Sequence, residues 1–303
     1  MSTISIAIVG APGKTGLSIV DGLLASINPY YDITALARHV SVNKPKYGKL
    51  KERGVKVVDV DLAVDAIADQ IPLAKAAKRA MVKRFVPSAY ATVVPPNGIV
   101  DVQDIKENVY HEIKRLHLPY TIIDVGWWYL GFIPHLPSGR TDYARHPSLG
   151  KDINDIPGEG NIKCCMIDFK DVGKMVAKII FDSRILNKMV LACGDVLTIN
   201  ELYNIVDDIS GEKTQRNYMS AKQILASTNR IQELITGGQT DYTTKLGLYW
   251  MQYFYSFGIR GDNTPENANY LGYINSKDLY PELSMISYRD FFKRVLDGNA
   301  KDL

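Results

Sequence analysis

The chain has few cysteines and little excess charge. Its 303 residues include three cysteines, Cys164, Cys165 and Cys193, and no group of residues has the spacing of metal ligands. Cysteines this sparse predict free thiols in a reducing compartment, with the cytoplasm as the default location, and no metal site. The formal net charge of +3 is too small to favour nucleic acid or a membrane surface as the main partner.

Long apolar runs are also missing. None approaches the ~18 residues that a membrane-spanning helix needs. The first residues lack a basic region followed by a long apolar stretch, so we expect no signal peptide, and no Asn-x-Ser/Thr acceptor occurs. The sequence has 46% hydrophobic and 23% charged residues, which is typical of a globular protein with one large α/β domain or two lobes.

The most informative segment is a β-branched run at 4–9 that breaks into Gly10, Gly13 and Gly16 and continues into a helical apolar pattern. This G-x-x-G-x-x-G spacing is a variant of the dinucleotide fingerprint. Gly10 allows a sharp turn, Gly13 lets the backbone approach a diphosphate, and Gly16 lets helix and strand pack closely. The alternative is an ordinary βα turn that binds nothing. The predicted cofactor-binding residues here are Gly10, Pro12, Gly13, Lys14, Thr15 and Gly16.

Strands and helices alternate after this motif. Apolar runs at 33–37, 55–60, 84–87 and 120–125 predict strands, and the segments between them predict helices, including one over 64–80. The pattern favours a doubly wound parallel Rossmann sheet within a cofactor-binding domain at 1–150. Residues 151–303 predict a smaller C-terminal substrate lobe, some of whose strands could return to the sheet.

One part of this plan is missing. Only Asp61-Leu62-Ala63 separates the third predicted strand from the helix that leads to the fourth. A βα unit of roughly twenty residues is therefore absent. Three explanations stay open: the sheet is one strand short, the strand at 84–87 has moved into the gap, or the chain has lost a segment that its relatives keep.

Several blocks together resemble one branch of the atypical short-chain dehydrogenases. The glycine motif, Arg38, 82–88, Lys106 and 118–121 are similar to the NmrA-like and isoflavone-reductase-like proteins, and the segment from Arg260 to Pro265 resembles fungal members. The resemblance implies a Rossmann domain, NADPH and a C-terminal substrate lobe. It also implies reduction of a small aromatic or conjugated metabolite, or a non-catalytic regulator that binds NAD(P). The chain departs from the family at Ala89-Tyr90-Ala91, where an acidic residue and Phe-Gly often stand.

The resemblance places Lys106 at the position of the active-site lysine of the family. A lysine near a reacting carbon donates or accepts the balancing proton of hydride transfer. The alternative is an exposed helix lysine beside Glu107. Tyr110 and Lys114 also match the Tyr-x-x-x-Lys spacing of ordinary short-chain reductases, although they lie nearer the end of the predicted helix.

The ends of the predicted strands hold the other candidates. Arg38 ends the second strand, where an arginine favours the 2′-phosphate of NADP, and Lys44 or Lys46 could assist. Ser88 follows the fourth strand and could bond the nicotinamide ribose or the substrate; the alternative is a plain loop residue. The candidate substrate wall comprises Tyr90, Trp127, Trp128 and Tyr129, with core packing as the alternative for the last three.

The hypothesis is thus an NADPH-dependent reductase that acts on a small molecule with Lys106 as the proton donor or acceptor. The second hypothesis, an NAD(P)-binding regulator without turnover, gains support from the missing βα unit. For a chain of this size we expect a monomer or a homodimer, with no nucleic-acid or membrane partner.

Overall fold

The computed structural model describes residues 3–27, 30–61, 67–145 and 154–300, in which strands and helices alternate. The strands are β1 Thr3–Val9, β2 Tyr30–Arg38, β3 Lys56–Val60, β4 Thr121–Asp124, β5 Trp127–Trp128, β6 Asp155–Pro157, β7 Lys163–Ile167, β8 Lys188–Leu191, β9 Asp195–Thr198, β10 Asn217–Met219 and β11 Tyr273–Asn275. The helices are α1 Lys14–Leu24, α2 Pro45–Glu52, α3 Gln70–Arg79, α4 Asp101–Arg115, α5 Phe169–Ile179, α6 Ile199–Ser210, α7 Ala221–Thr236, α8 Tyr242–Tyr255, α9 Pro265–Tyr270, α10 Ser276–Leu279 and α11 Tyr288–Leu296. The predicted α/β class is confirmed.

The chain divides into two compact units. The first comprises 1–88, 112–122 and 169–188, and the second comprises 89–111, 123–168 and 189–303. The predicted domain boundary near residue 150 lies outside the described residues. The assignment of 1–150 to the cofactor and 151–303 to the substrate stays a prediction.

The first unit contains a parallel sheet in the order β1-β2-β3. Parallel neighbours need crossover connections, which α1 and α2 supply here. Alternate residues of the middle strand, Tyr31, Ile33, Ala35 and Ala37, are buried because successive side chains point to opposite faces. The end of β2 therefore presents Arg38 at the carboxyl edge of the sheet.

The described part of the sheet is short on one side. Among the described residues, β1 pairs with β2 alone, and the strand predicted at 84–87 is reduced to a single parallel bridge between Phe85 and Tyr120. Pro87 has no amide hydrogen, so it cannot extend a ladder. This pairing agrees with a sheet that is one strand short. The start of the helix predicted over 64–80 lies outside the described residues.

Helices α1 and α5 of the first unit cross at very short range. A Cβ on Gly22 would stand 2.1 Å from the carbonyl oxygen of Gly173, and a Cβ on Gly173 would stand 1.6 Å from that of Ser18. The Ser18 hydroxyl donates to the carbonyl of Phe169 at 2.8 Å and accepts the N–H of Gly173 at 2.9 Å. Two glycines and one buried hydroxyl thus let the two helix backbones touch.

The second unit contains the carboxyl ends of the strands ordered β4-β8-β11, with β8 and β11 parallel. The Ala192 N–H donates to the Asp124 carbonyl at 2.8 Å, which fixes the end of β4 beside the end of β8. The Tyr273 side chain at the start of β11 reaches Asp124 from the same sheet. Residues far apart in the chain therefore meet at one sheet edge.

An aromatic core holds the second unit together. Its fully buried members include Tyr129, Phe257, Tyr288, Phe291 and Phe292. Helix α6 packs on this core and begins with a capping box between Thr198 and Glu201.

Candidate active site

The loop between β1 and α1 is shaped by its glycines. Gly10 has a φ of 76°, in the left-handed region that favours glycine. Its carbonyl accepts the N–H of Gly13 at 2.9 Å. A Cβ on Gly16 would stand 2.2 Å from that same carbonyl oxygen, so only glycine lets α1 lie this close to the loop. The turn and the close approach are the features that the glycine spacing predicts.

The start of α1 suits an anion. Gly13 is the N-cap and provides no side-chain cap, and the first turn holds no acidic residue. Gly13 and Lys14 are exposed, while Pro12 and Thr15 are half-buried. Uncapped amides, the positive end of the helix dipole and the Lys14 ammonium together fit a diphosphate group.

The carboxyl ends of β2 and β3 carry a basic edge. Arg38 is half-buried and lies opposite Val60, and its charge acts on Tyr47. The Nδ1 atom of exposed His39 lies 2.7 Å from Oδ2 of Asp59, and this hydrogen bond raises the pKa of His39. Lys44 and Lys46, at the start of α2, are exposed. The Arg38 guanidinium has the geometry to bind a phosphate bidentately.

The turn after the Phe85 bridge contains two candidates. Exposed Ser88 donates its N–H to Oε1 of Gln70 at 2.6 Å. Half-buried Tyr90 has a φ of 35°, a conformation that costs a residue with a side chain energy. Its N–H donates to the carbonyl of Ile123 at 2.9 Å, so the strained turn is tied to β4. Burial raises the pKa of Tyr90.

Lys106 is the decisive side chain of the second unit. It is 4% exposed, and its Nζ donates to the carbonyl oxygen of Ala89 at 2.9 Å. Burial lowers the pKa of Lys106, and the charges of Asp124 and Glu107 oppose this shift. Lysine is almost never buried without a partner or a task. The structure excludes the alternative of an exposed helix lysine.

Two residues that the sequence reasoning missed lie with Lys106. Asp124 is 1% exposed, and its Oδ2 accepts the hydroxyl of Tyr273 at 2.7 Å. Burial raises the pKa of Asp124, while Lys106, Tyr273 and the Ala91 amide lower it. The one sequence signal for this site is a lone carboxylate inside the apolar run from Ile122 to Val125. Nothing local in the sequence indicates Tyr273.

The structure does not bring together the tyrosine and the lysine of the Tyr-x-x-x-Lys spacing. Tyr110 is 1% exposed, and its hydroxyl has no hydrogen-bond partner among the described residues, whereas Lys114 is exposed. Tyr110 lies one helical turn after Lys106 on the same face of α4. Its raised pKa responds to Asp124 and Glu107 as well as to burial. Tyr110 therefore belongs with Lys106 and Asp124 rather than with Lys114.

The aromatic residues after β4 divide into two groups. Trp127 and Trp128 are half-buried, and the Trp127 ring lies 5.0 Å from that of Trp250 and 5.4 Å from that of Tyr253. Tyr129 is fully buried, and its hydroxyl donates to Oδ2 of Asp195 at 2.7 Å. Core packing, which the sequence left open as the alternative, is thus the arrangement of Tyr129. A role for Trp127 and Trp128 at a substrate stays a prediction.

Known proteins place the chain in a family. The model of the NmrA-like family matches residues 63–240. The chain is 40% identical to asnovolin J 5′,6′-dehydrogenase nvfM of Aspergillus novofumigatus, over 98% of this chain and 96% of that protein. The chain belongs to the NmrA-like family. The family expected from the sequence motifs is confirmed.

Other relatives of this NmrA-like protein match nearly its whole length. It is 25% identical to a probable pinoresinol-lariciresinol reductase of Arabidopsis thaliana, over 96% of this chain and 97% of that protein. The crystal structure of isoflavone reductase superposes with a TM-score of 0.76 and 21% identity, covering 97% of this chain and 99% of that one. The binary complex of leucoanthocyanidin reductase with NADPH from Vitis vinifera gives a TM-score of 0.74 and 21% identity, with 97% and 100% coverage. These structures establish the fold.

The relatives also differ from this chain in length. The alignments with the fungal dehydrogenase and with the Arabidopsis reductase both extend over 321 residues, which exceeds the 303 residues of this chain. The NmrA-like protein therefore lacks residues that these relatives keep. In the part of the chain that the structure describes, every helix is too short or too polar to cross a membrane.

Proposed function

We propose that this protein is an NADP(H)-dependent oxidoreductase of a small aromatic or conjugated metabolite, with Lys106 as the group that gives or takes the balancing proton. The observation that carries the proposal is the burial of the Lys106 ammonium beside Asp124 in a member of a family whose named relatives are reductases and a dehydrogenase.

The cofactor residues are those of the β1–α1 loop. The residues Gly10, Pro12, Gly13, Lys14, Thr15 and Gly16 would hold the diphosphate through main-chain amides and the Lys14 charge. Arg38 would bind the 2′-phosphate that distinguishes NADP from NAD, and Ser88 would bond the nicotinamide ribose. The tight Gly10–Gly16 contact supports this assignment because a side chain at Gly16 would displace the start of α1.

Lys106 carries the proton chemistry. Bound NADPH would supply a hydride to an electrophilic carbon of the substrate. The negative charge that develops on the substrate then needs a proton or a cation. The Lys106 ammonium supplies either, and burial lowers its pKa, which makes it a stronger proton donor than an exposed lysine. In the opposite direction the neutral amine would accept the proton.

The substrate is proposed from the surrounding side chains. Half-buried Trp127 and Trp128, with Tyr90 from the turn that is bonded to β4, would form an apolar wall for a planar molecule. Named relatives act on pinoresinol and lariciresinol in one case and on asnovolin J in another. A conjugated or aromatic metabolite fits both the wall and these relatives. We expect a monomer or a homodimer in the cytoplasm.

A second candidate function is an NAD(P)-binding regulator without turnover. The specific observation in its favour is that no described strand pairs with the free edge of β1. In doubly wound sheets, the strand on that side lines the ligand crevice. A protein that binds the cofactor without completing the crevice would sense NADP(H) without using it.

One experiment separates the two functions. NADPH and NADH are titrated against the pure protein, and NADPH oxidation is then followed with a panel of enones, quinone methides and benzylic ethers. The enzyme hypothesis expects saturable NADPH binding, turnover, and a loss of kcat of about 10²–10⁴-fold in Lys106→Met. Lys114→Met, on the exposed part of the same helix, is the matched control. Binding without turnover on any substrate favours the regulator, and no binding of either cofactor refutes both.

A further inference from the structure

Asp124 occupies an unusual position for a carboxylate. It ends β4, is 1% exposed, and uses Oδ2 to accept the Tyr273 hydroxyl at 2.7 Å. The backbone of Ala91 also lowers the pKa of Asp124 and so favours its ionised form. Its second oxygen, Oδ1, is buried and has no hydrogen-bond partner among the described residues. A buried carboxylate with an unused oxygen is costly unless a positive charge lies near it.

Lys106 is the positive charge that acts on Asp124, and the turn at 89–91 links the two: the Lys106 ammonium donates to the Ala89 carbonyl at 2.9 Å, and the Val125 N–H, next to Asp124, donates to the Ala91 carbonyl at 3.0 Å. The charged and titratable groups around the carboxylate are Lys106, Glu107 and Tyr110 from α4, Tyr253 from α8 and Tyr273 from β11. Lys106 is the single cation in this set. Glu107 acts against the negative charge of Asp124 and the tyrosines are neutral, so Lys106 is the one group in this set whose charge offsets that of Asp124, in addition to the hydrogen bond from Tyr273.

The charge of Asp124 in turn stabilises the Lys106 ammonium. Its one hydrogen bond to a described residue is the 2.9 Å bond to the Ala89 carbonyl, which orients one N–H but contributes no full charge. Asp124 contributes that charge from inside the unit, and Glu107, the next residue on α4, adds a second, half-buried carboxylate. Without Asp124, a buried amine would lose its proton more readily.

We propose that Asp124, held in place by Tyr273, is the positioning residue that keeps Lys106 protonated and directs its ammonium toward the reacting molecule. Asp124 itself touches neither substrate nor cofactor. This inference rests on the proposed function of Lys106, which it extends to two residues 149 positions apart in the chain.

Substitutions at Asp124 and at Tyr273 should shift the pH–rate profile to different extents. Asp124→Asn keeps the shape and removes the charge, so the limb of the pH–rate profile that belongs to Lys106 moves to lower pH by roughly one unit or more. Tyr273→Phe removes a hydrogen bond that favours the ionised carboxylate, so the same limb moves in the same direction by less. The direction is the same whether the reaction is followed as reduction or as oxidation, because the titrating group is the same.

Two control variants distinguish the proposed positioning role of Asp124 and Tyr273 from a purely structural one. Asp168→Asn removes another fully buried carboxylate of the second unit, which pairs with Arg294. Tyr31→Phe removes another tyrosine hydroxyl, which donates to the Ala177 carbonyl at 2.7 Å. Both substitutions lower the melting temperature without moving the limb. A limb that stays in place in Asp124→Asn and in Tyr273→Phe would overturn the proposal.

A second experiment tests the pairing of Asp124 with Lys106 without requiring turnover. Melting temperatures are compared for Asp124→Asn, Lys106→Met and the double variant. If the two side chains form a charge pair, Asp124→Asn lowers the melting temperature more in the native background than in the Lys106→Met background. Equal effects in both backgrounds would refute the pairing. If the wild type shows no turnover but the two residues are coupled, the oxidoreductase proposal fails while the pairing stands.

Discussion

The carbonyl oxygen of Gly10 lies 2.2 Å from the place where a Cβ on Gly16 would stand. No rotation of a side chain relieves this contact, since both the atom and its neighbours belong to the backbone. The start of α1 can hold its position against the loop only with glycine at residue 16. The proposed diphosphate site depends on this contact.

Gly16→Ala should therefore weaken NADPH binding by more than about tenfold and destabilise the fold by about 1–3 kcal/mol through overpacking. Cofactor titration and thermal unfolding measure the two effects. Gly48→Ala in α2 is the matched control, because a Cβ there meets no atom within 4 Å. Normal NADPH binding by the Gly16→Ala variant would show that the loop does not hold the diphosphate.

Arg38→Gln should reduce the affinity for NADPH by roughly tenfold to a hundredfold, since charge-assisted hydrogen bonds to a phosphate contribute about 1.5–3 kcal/mol. The affinity for NADH, which has no 2′-phosphate, should not change. Equilibrium titration with both cofactors gives the ratio. Arg53→Gln is the control, because Arg53 lies at the end of α2, away from the strand edge, and pairs with Asp21. An equal loss for both cofactors would contradict phosphate selection by Arg38.

Gly173→Ala should destabilise the protein by about 1–3 kcal/mol or prevent folding, because the new Cβ would meet the Ser18 carbonyl oxygen at 1.6 Å. Gly247→Ala in α8 should be neutral or slightly stabilising, as its Cβ would find its nearest neighbour at 3.8 Å. Thermal unfolding of both variants tests the pair. An unchanged melting temperature in Gly173→Ala would contradict the close crossing of α1 and α5.

The His39 side chain should titrate above its ordinary range, because its hydrogen bond to Asp59 raises its pKa. A raised folded-state pKa means that the pair stabilises the fold below the ordinary histidine pKa of about 6.5, and that this contribution is lost as the pH rises through the folded-state value. Because His39 is exposed, the effect on stability is small. NMR titration should show the His39 midpoint falling in Asp59→Asn while the signals of the other histidines are unchanged by the substitution.

Local chemistry made part of the site predictable. The turn at Gly10, the approach at Gly16 and the capping box at Thr198 and Glu201 each depend on residues within a few positions of one another, so spacing alone indicates them. The α/β class follows from periodicity for the same reason. The role of Lys106 was predicted from the family motif and not from hydrophobic periodicity, because a lysine flanked by Ile105 and Glu107 is equally compatible with an exposed helix position.

Non-local contacts were not predictable in this way. Tyr129 follows a strand end like a substrate-lining residue, yet packing against Tyr288 and Phe291 places it in the core. Asp124 reads as an ordinary interruption of a strand until Tyr273 is brought beside it. Pairing and burial of this kind are set by the docking of elements that are distant in the chain, and no local preference encodes that docking.

The amino-acid sequence by itself determined the glycine turn, the alternation of strands and helices and the family of this protein, because these depend on short-range backbone sterics and on motif spacing. Only the tertiary structure decided that Lys106 is buried, that Asp124 faces it and that Tyr110 joins them, because desolvation and charge pairing exist only once α4, β4 and β11 have packed together.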